Sequence, residues 1–321
     1  MNMSEQIRIS SHGLCGTLSR DEPMDRHVSW RAGGRVRQAY APADLEDLAL
    51  FMRGLPDVEP VYFVGLGSNL LVRDGGLDAT VIFTHRALRD VRVVESEGGG
   101  EIRVQAGVAS PKVARLAALH DLAGAEFLAG IPGTIGGALA MNAGCYGGET
   151  WDLVVQVETM DRAGTLHVRT PRHYNIAYRS VTRRCRQLSS VPGTAEKGGA
   201  EEWFVSATLR CARGDGAQSR AKITELLSRR IATQPLGTPN AGSVFRNPPG
   251  DHAARLIEAC GLKGRQIGRA SISAKHANFI VNNGGASAAD IEALIELAGK
   301  SVERQFGIHL EPEVRIVGAR A

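Results

Sequence analysis

Residues 130–144 read Gly130-Ile131-Pro132-Gly133-Thr134-Ile135-Gly136-Gly137-Ala138-Leu139-Ala140-Met141-Asn142-Ala143-Gly144. Glycine opens positive φ and lets a ligand approach the main chain closely, and proline fixes the entry to the turn. Ile131, Ile135, Leu139 and Met141 interleave with the glycines, so the stretch also packs into a core. A flexible linker would carry more serine and fewer branched aliphatics. The reading is a rigid, buried loop shaped around a ligand.

A second glycine turn precedes it, Val64-Gly65-Leu66-Gly67-Ser68-Asn69-Leu70-Leu71-Val72, between apolar runs at 61–64 and 70–72 that read as strands. The dinucleotide fingerprint would need a third glycine opening a helix. Here Leu70 holds that place and the chain continues as strand. The phosphate ligands would then be the N–H groups of Leu66 to Asn69 and the Ser68 hydroxyl, a nest rather than a helix end. Alone, such a turn is equally a tight connection between strands; beside residues 130–144 it becomes half of a cradle.

Composition narrows the classes. The 321 residues suffice for two or three domains, and 43% hydrophobic with 22% charged is ordinary globular material. A net charge of +4 is too small to argue for nucleic acid but suits anionic small ligands. No apolar run approaches the ~20 residues of a spanning helix. Residues 1–21 lack a secretory signal and read as a polar extension, so the expected compartment is the cytoplasm. Five scattered cysteines without a Cys-x-x-Cys pair argue against disulfides and structural zinc. Nine histidines without ligand spacing imply no metal.

Helical spacing of Leu45, Leu48, Ala49 and Met52 predicts a helix over 42–55. Ser110-Pro111 reads as an N-cap and first turn opening a helix to about 122. Asp251 is expected to cap a helix over 253–260 that Gly261 ends, and Ser287 with Asp290 to form a capping box for a helix reaching Phe306. Short β-rich runs lie at 80–83, 102–105, 154–157, 165–168 and 204–209. Their mixing with helices, without regular alternation, predicts an α+β architecture. The polar stretch 183–202 reads as a solvated insertion. The expected organisation is a small N-terminal unit over residues 1–60, a ligand-cradling core over 61–212 and a substrate domain over 213–321, whose last strand at 314–317 folds back on the front.

Six blocks carry a resemblance. They are Trp30-Arg31-Ala32-Gly33-Gly34, the turn at 65–72, residues 130–149, Tyr178-Arg179-Ser180, Ala241-Gly242-Ser243-Val244-Phe245-Arg246-Asn247-Pro248 and Leu310-Glu311-Pro312-Glu313-Val314-Arg315. In order and spacing the chain resembles the UDP-N-acetylenolpyruvoylglucosamine reductases, flavoenzymes that make UDP-N-acetylmuramate for peptidoglycan. The resemblance implies an FAD-binding fold of the vanillyl-alcohol-oxidase/PCMH type and a C-terminal α+β substrate-binding domain. It implies FAD held by Gly65, Leu66, Gly67, Ser68, Asn69, Gly130, Gly133, Thr134, Gly137, Asn142 and Arg315, with NADPH as hydride donor and a small UDP-sugar as partner. No nucleic acid, membrane or second copy is expected. Nothing in Ser68-Asn69-Leu70-Leu71 can attach the ring, so the flavin is expected to be non-covalent; Cys145 reads as a buried small hydrophobe.

The same resemblance makes Ser243 the proton donor, which by itself would read as a turn serine. A serine hydroxyl is a poor acid and protonates only a strongly basic carbanion or enolate, which reduction of an enolpyruvyl double bond supplies. Arg179 offers a planar fork for the substrate carboxylate, and a glutamate against that carboxylate should have its pKa raised and donate to the enolate. Glu313 is the expected residue, with Glu311 as the fallback. Alternatives stand beside these: Arg179 as a surface arginine near Arg183 and Arg184, and Glu313 paired with Arg315. Lys275 and His276 are expected to wall the uridine diphosphate site, Asn247 to touch substrate, and Tyr178 to position Arg179. Two departures are visible: Val181 replaces the family's second serine, and the basic run Arg183-Arg184 with the polar insertion replaces the usual aromatic after it. Residues 130–149 resemble the subgroup without a tyrosine-bearing lid. Rival readings are an FAD-dependent sugar or hydroxy-acid oxidase of the same fold, and a flavin-binding paralogue without activity.

Overall fold

The computed structural model describes residues 6–7, 13–184 and 201–321. The first sheet takes its strands from Gln6–Ile7, Thr17–Pro23, Arg35–Ala41, Leu77–Phe83 and Val61–Val64, in that spatial order. Its last three strands run parallel, and the helix Leu45–Arg53 provides the crossover. Ala79 to Phe83 are all buried because apolar clusters cover both faces. On one side lie Tyr40, Leu48, Phe51, Met52 and Ile82; on the other Met24, Val28, Val36, Val64 and Val81. That is the pattern of a strand inside a parallel sheet rather than an alternating one. Asp44 starts the helix by accepting from the Asp47 N–H at 2.8 Å, so residues 42–44 of the expected helix lie outside it.

The second sheet is antiparallel, ordered Leu166–Arg169, Val154–Asp161, Glu202–Arg213, Gly99–Gln105, Val91–Ser96. Its inner face packs on the helices Ser110–Leu119, Ile135–Met141 and Gly216–Thr233 around Ile102, Val104, Leu128, Leu139, Trp151 and Leu209. The third unit is a small antiparallel sheet, Gln266–Ile267, Ala270–Ile272 and Ile280–Asn282, backed by the helices Ala253–Ala259 and Ala288–Phe306. Its core admits Trp30 and Leu71 from the first unit, and the Trp30 indole donates to the Ile280 carbonyl at 2.8 Å. The strand Arg315–Val317 returns to pair in parallel with Leu70–Val72, behind the first glycine turn.

Several expectations need correction. Residues 17–21 are not an extension: Thr17–Pro23 is a strand, with Leu18 and Glu22 buried and Glu22 held by His27 at 2.7 Å. The first sheet therefore draws on both sides of residue 60. Ser110 is inside its helix, not the cap; Ala109 holds the cap position, and the helix stops at Leu119. His252 rather than Asp251 holds the cap of Ala253–Ala259, where Asn247 Oδ1 accepts from the Ala253 N–H at 3.1 Å. Residues 130–144 are only partly loop, since 135–141 close into a helix that ends at Asn142 with φ 46°. The helix Gly216–Thr233 buries Ser219 and Ile223 against the second unit, although it follows the expected boundary at 213. Most of the polar stretch 183–202 lies outside the described residues, but its ends are strands, joined by the pair Arg183–Glu202. The Ser287–Asp290 capping box and the long helix to Phe306 form as expected. Among the described residues, no helix is long and apolar enough to cross a membrane.

Candidate active site

Where the three units meet there is a cavity of about 630 Å³. Its walls are the first glycine turn, the second glycine stretch, the tip of a hairpin at Arg179, the segment 241–243 and Glu313. Such a concave junction of units, apolar with few convergent polar groups, is the usual place of a ligand.

The two glycine stretches face each other. A Cβ on Gly65 would stand 2.2 Å from Thr134 Oγ1, and one on Gly67 would stand 2.1 Å from the His27 carbonyl. Gly65 lets the Thr134 side chain lie against the first turn, and Gly67 lets the His27 main chain do so. Gly133 and Gly137 serve the other purpose. A Cβ on Gly137 meets nothing closer than Thr134 Oγ1 at 3.9 Å, and one on Gly133 only Ser68 Oγ at 3.2 Å, so added carbon would occupy cavity space. A wall stripped of side chains there, beside the nest at 66–69, fits a flat ring system with a diphosphate tail such as FAD. The residues that would hold it are Gly65 to Asn69, Gly130, Gly133, Thr134, Gly137 and Arg315, all on the cavity wall. Asn142 is turned elsewhere. It is buried, its carboxamide donates to Glu149 Oε2 at 2.6 Å and accepts from the Trp151 N–H at 3.1 Å. Burial pushes the Cys145 thiol up to about 11, and Sγ donates to the Phe127 carbonyl, consistent with an inert packing role.

Arg179 occupies the tip of the hairpin made by Tyr174–Ala177 and Ser180–Arg183, with φ 54°. A non-glycine residue there costs about 1–2 kcal/mol, and the conformation persists because its surroundings enforce it. Nε donates to Glu313 Oε1 at 2.8 Å and Nη2 to the Gly144 carbonyl at 2.9 Å. The Tyr178 ring lies 5.0 Å from the guanidinium carbon, as a platform. Glu313 comes from the segment beside Ser243: its N–H donates to the Val244 carbonyl at 2.7 Å, and Phe245 bridges Pro312. Asn278 fixes the serine segment, accepting from the Phe245 N–H at 3.0 Å and donating to its carbonyl at 2.8 Å. Ser243 thus borders the cavity next to the Arg179–Glu313 pair, its hydroxyl unpartnered among the described residues. Burial raises the Glu313 carboxyl above the usual range, and Arg179 and Arg246 offset this only partly. Glu311 is exposed, outside the cavity wall, and paired with Arg246 at 3.1 Å.

The expected substrate residues divide differently. Lys275 Nζ donates to the Ile231 carbonyl at 2.5 Å, closing the C-terminal turn of Gly216–Thr233. His276 packs edge-on against Phe279, which lines the cavity, while His276 and Lys275 themselves do not reach the cavity wall. Asn247, already used at a helix start, and Tyr178 are also off that wall. Arg230 is the cavity cation that sequence reasoning missed. Its Nε donates to Gln234 Oε1 at 2.8 Å, both residues border the cavity, and it makes no ion pair among the described residues.

Comparison with known proteins agrees with this arrangement. The family described as FAD binding domain matches residues 37–169, and the family described as UDP-N-acetylenolpyruvoylglucosamine reductase, C-terminal domain, matches residues 234–317. The UDP-N-acetylenolpyruvoylglucosamine reductase of Thiobacillus denitrificans is 55% identical over 96% of this chain and 94% of its own length. The chain belongs to the UDP-N-acetylenolpyruvoylglucosamine reductase family. The reductase of Nitrosospira multiformis is 53% identical over 100% of this chain and 94% of its own. The solved UDP-N-acetylenolpyruvylglucosamine reductase of Thermus caldophilus superposes with a TM-score of 0.71 at 29% identity, covering 92% of this chain and 97% of that one. The α+β class and the FAD-binding fold thus stand for this reductase-family chain, with a C-terminal unit of the same family.

Proposed function

We propose that the protein reduces UDP-N-acetylenolpyruvoylglucosamine to UDP-N-acetylmuramate at the expense of NADPH, a cytoplasmic step that supplies peptidoglycan precursors. The observation that supports this most is the meeting of Ser243, Arg179 and Glu313 at one end of a cavity whose other walls are glycine-lined. FAD held by residues 65–69, Gly130, Gly133, Thr134, Gly137 and Arg315 would supply the hydride chemistry that links NADPH to the methylene carbon of the enolpyruvyl group. Arg179 orients the substrate carboxylate and stabilises the enolate. Burial raises the Glu313 carboxyl, and in its protonated form it donates a hydrogen bond to that enolate, so activity falls as pH rises through its raised pKa. Ser243 delivers the proton to the carbon bearing the carboxylate. Proton transfer of this kind contributes about 10²–10⁴ in rate, and fixed dipoles and charges around the enolate contribute more. Arg230, with Gln234 holding its Nε, offers its remaining N–H groups to a nucleotide phosphate.

Titration of the purified protein tests the reading. It should be yellow, bleach with NADPH, and recover colour without oxygen when the enolpyruvyl nucleotide is added. Recovery only on admitting oxygen would favour an oxidase, and a colourless protein unable to take up FAD would end the proposal.

A further inference from the structure

Arg246 touches neither Ser243 nor the cavity wall, yet it connects the segments that carry the three reacting side chains. It follows Ser243 on the same segment. Its Nη2 donates to the Arg179 carbonyl at 3.1 Å, on the residue whose φ is 54°. Its Nη1 meets Glu311 Oε1 at 3.1 Å, and its own N–H donates to the Glu311 carbonyl at 2.9 Å, two residues before Glu313. Nε is buried without a partner, so the guanidinium is held by its two terminal nitrogens. Few arginines accept an unpaired N–H unless the remaining contacts fix the fork.

We propose that Arg246 is a positioning residue for the proton-delivering half of the reaction, clamping the strained hairpin tip of Arg179 to the segment that carries Glu313. The proposal rests on the reductase reading above. A left-handed arginine persists where its surroundings over-determine it, and the Arg179 carbonyl has Arg246 as its side-chain donor. Release would move the Arg179 fork away from Glu313 and the substrate carboxylate. A displacement of about 1 Å at a reacting centre costs up to about 10²-fold in rate.

Arg246 also sets the charge balance at Glu313. The charged groups acting on that carboxyl are Arg179 from the hairpin and Arg246 from the 241–247 segment, with Arg315 two residues along its own chain; of the neutral neighbours, Asn69 donates to the Glu313 main-chain carbonyl and Ser243 borders the same cavity. Arg179 and Arg246 favour the ionised form against burial. Removing the Arg246 charge leaves Glu313 protonated to higher pH; removing the Glu311 charge, which faces Arg246, does the opposite.

The test uses the holoenzyme with NADPH and the enolpyruvyl nucleotide, measuring each half-reaction by stopped-flow absorbance and the pH profile of kcat/KM. In Arg246→Met, flavin content and reduction by NADPH should stay within about twofold, while reoxidation slows about tenfold to a hundredfold. The alkaline limb should move up by about half a pH unit or more. Arg246→Lys keeps the charge without the fork, so its limb should stay near wild type while reoxidation recovers only partly. Glu311→Gln, at an exposed residue, should move the limb down. Equal slowing of both half-reactions, or limbs that stay fixed in Arg246→Met and in Glu311→Gln, would overturn the proposal. If Arg246→Met yields no folded holoenzyme, the Lys and Gln variants decide by the same criteria. A wild-type enzyme that fails either half-reaction would instead overturn the functional reading.

Discussion

Replacing Gly65 by alanine tests whether the two glycine stretches touch. The added Cβ would lie 2.2 Å from Thr134 Oγ1, 2.9 Å from Cγ2 and 3.1 Å from Cβ. Ordinary carbon contacts begin near ~3.5 Å, so the first two overlaps cannot be absorbed without moving a loop. Thr134 is 2% exposed. Overpacking of this kind costs about 1–3 kcal/mol. Thr134→Ala deletes the two worst offenders and leaves the 3.1 Å contact, which a shift of a few tenths of an ångström relieves. The double variant should therefore recover most of the stability that Gly65→Ala loses. A double-mutant cycle by chemical denaturation should give a coupling of about 1–2 kcal/mol, with flavin occupancy, read from visible absorbance, following the same order. If the two substitutions add to within about 0.5 kcal/mol, the stretches do not meet as described, and the cradle is built otherwise.

Two further substitutions have expected outcomes. Arg230→Ala should raise KM for the nucleotide substrates about tenfold or more, with bound flavin unchanged, as expected for a lost charged hydrogen bond to phosphate; steady-state kinetics at fixed flavin content read it, and an unchanged KM removes Arg230 from the site. Tyr40→Phe removes the 2.6 Å hydrogen bond to the buried Asp47 carboxylate and should cost about 1.5–3 kcal/mol near neutral pH. Burial works to raise the Asp47 carboxyl, but the Tyr40 hydroxyl and the Ala43 and Cys15 N–H groups together hold it below the usual range. That stability is present above the unfolded carboxylate pKa of about 4 and is lost as pH falls through the lower folded value, so the gap between wild type and Tyr40→Phe should narrow in acid. A gap independent of pH in denaturant melts would refute this.

How much the sequence disclosed follows from what each residue contacts. Residues 65–69 and 130–137 were legible because glycine clusters embedded in branched aliphatics have one economical explanation. The Ser287–Asp290 box was legible because both partners are local. Thr17–Pro23 was not, since Leu18 is its one buried apolar residue in an otherwise polar run, and only the pairing with Arg35–Ala41 reveals the strand. Asn142 looked like a ligand amide, and only Glu149 and Trp151 show that it caps a helix. Lys275 and Arg230 exchanged prospects for a long-range reason. The Ile231 carbonyl at a helix end claims the lysine, while the arginine beside it, inside an ordinary basic run, borders the cavity. Val181, which departs from the family pattern, lies on the cavity wall and packs against the second core, and nothing in its surroundings assigns it a role.

The proton donor carries the whole account, and Ser243→Ala examined one half-reaction at a time tests it most directly. NADPH should bleach the variant's flavin at close to the wild-type rate, while recovery of colour with the enolpyruvyl nucleotide should slow by about 10²-fold or more. Recovery at the wild-type rate, or equal slowing of both steps, would contradict the role assigned to that hydroxyl.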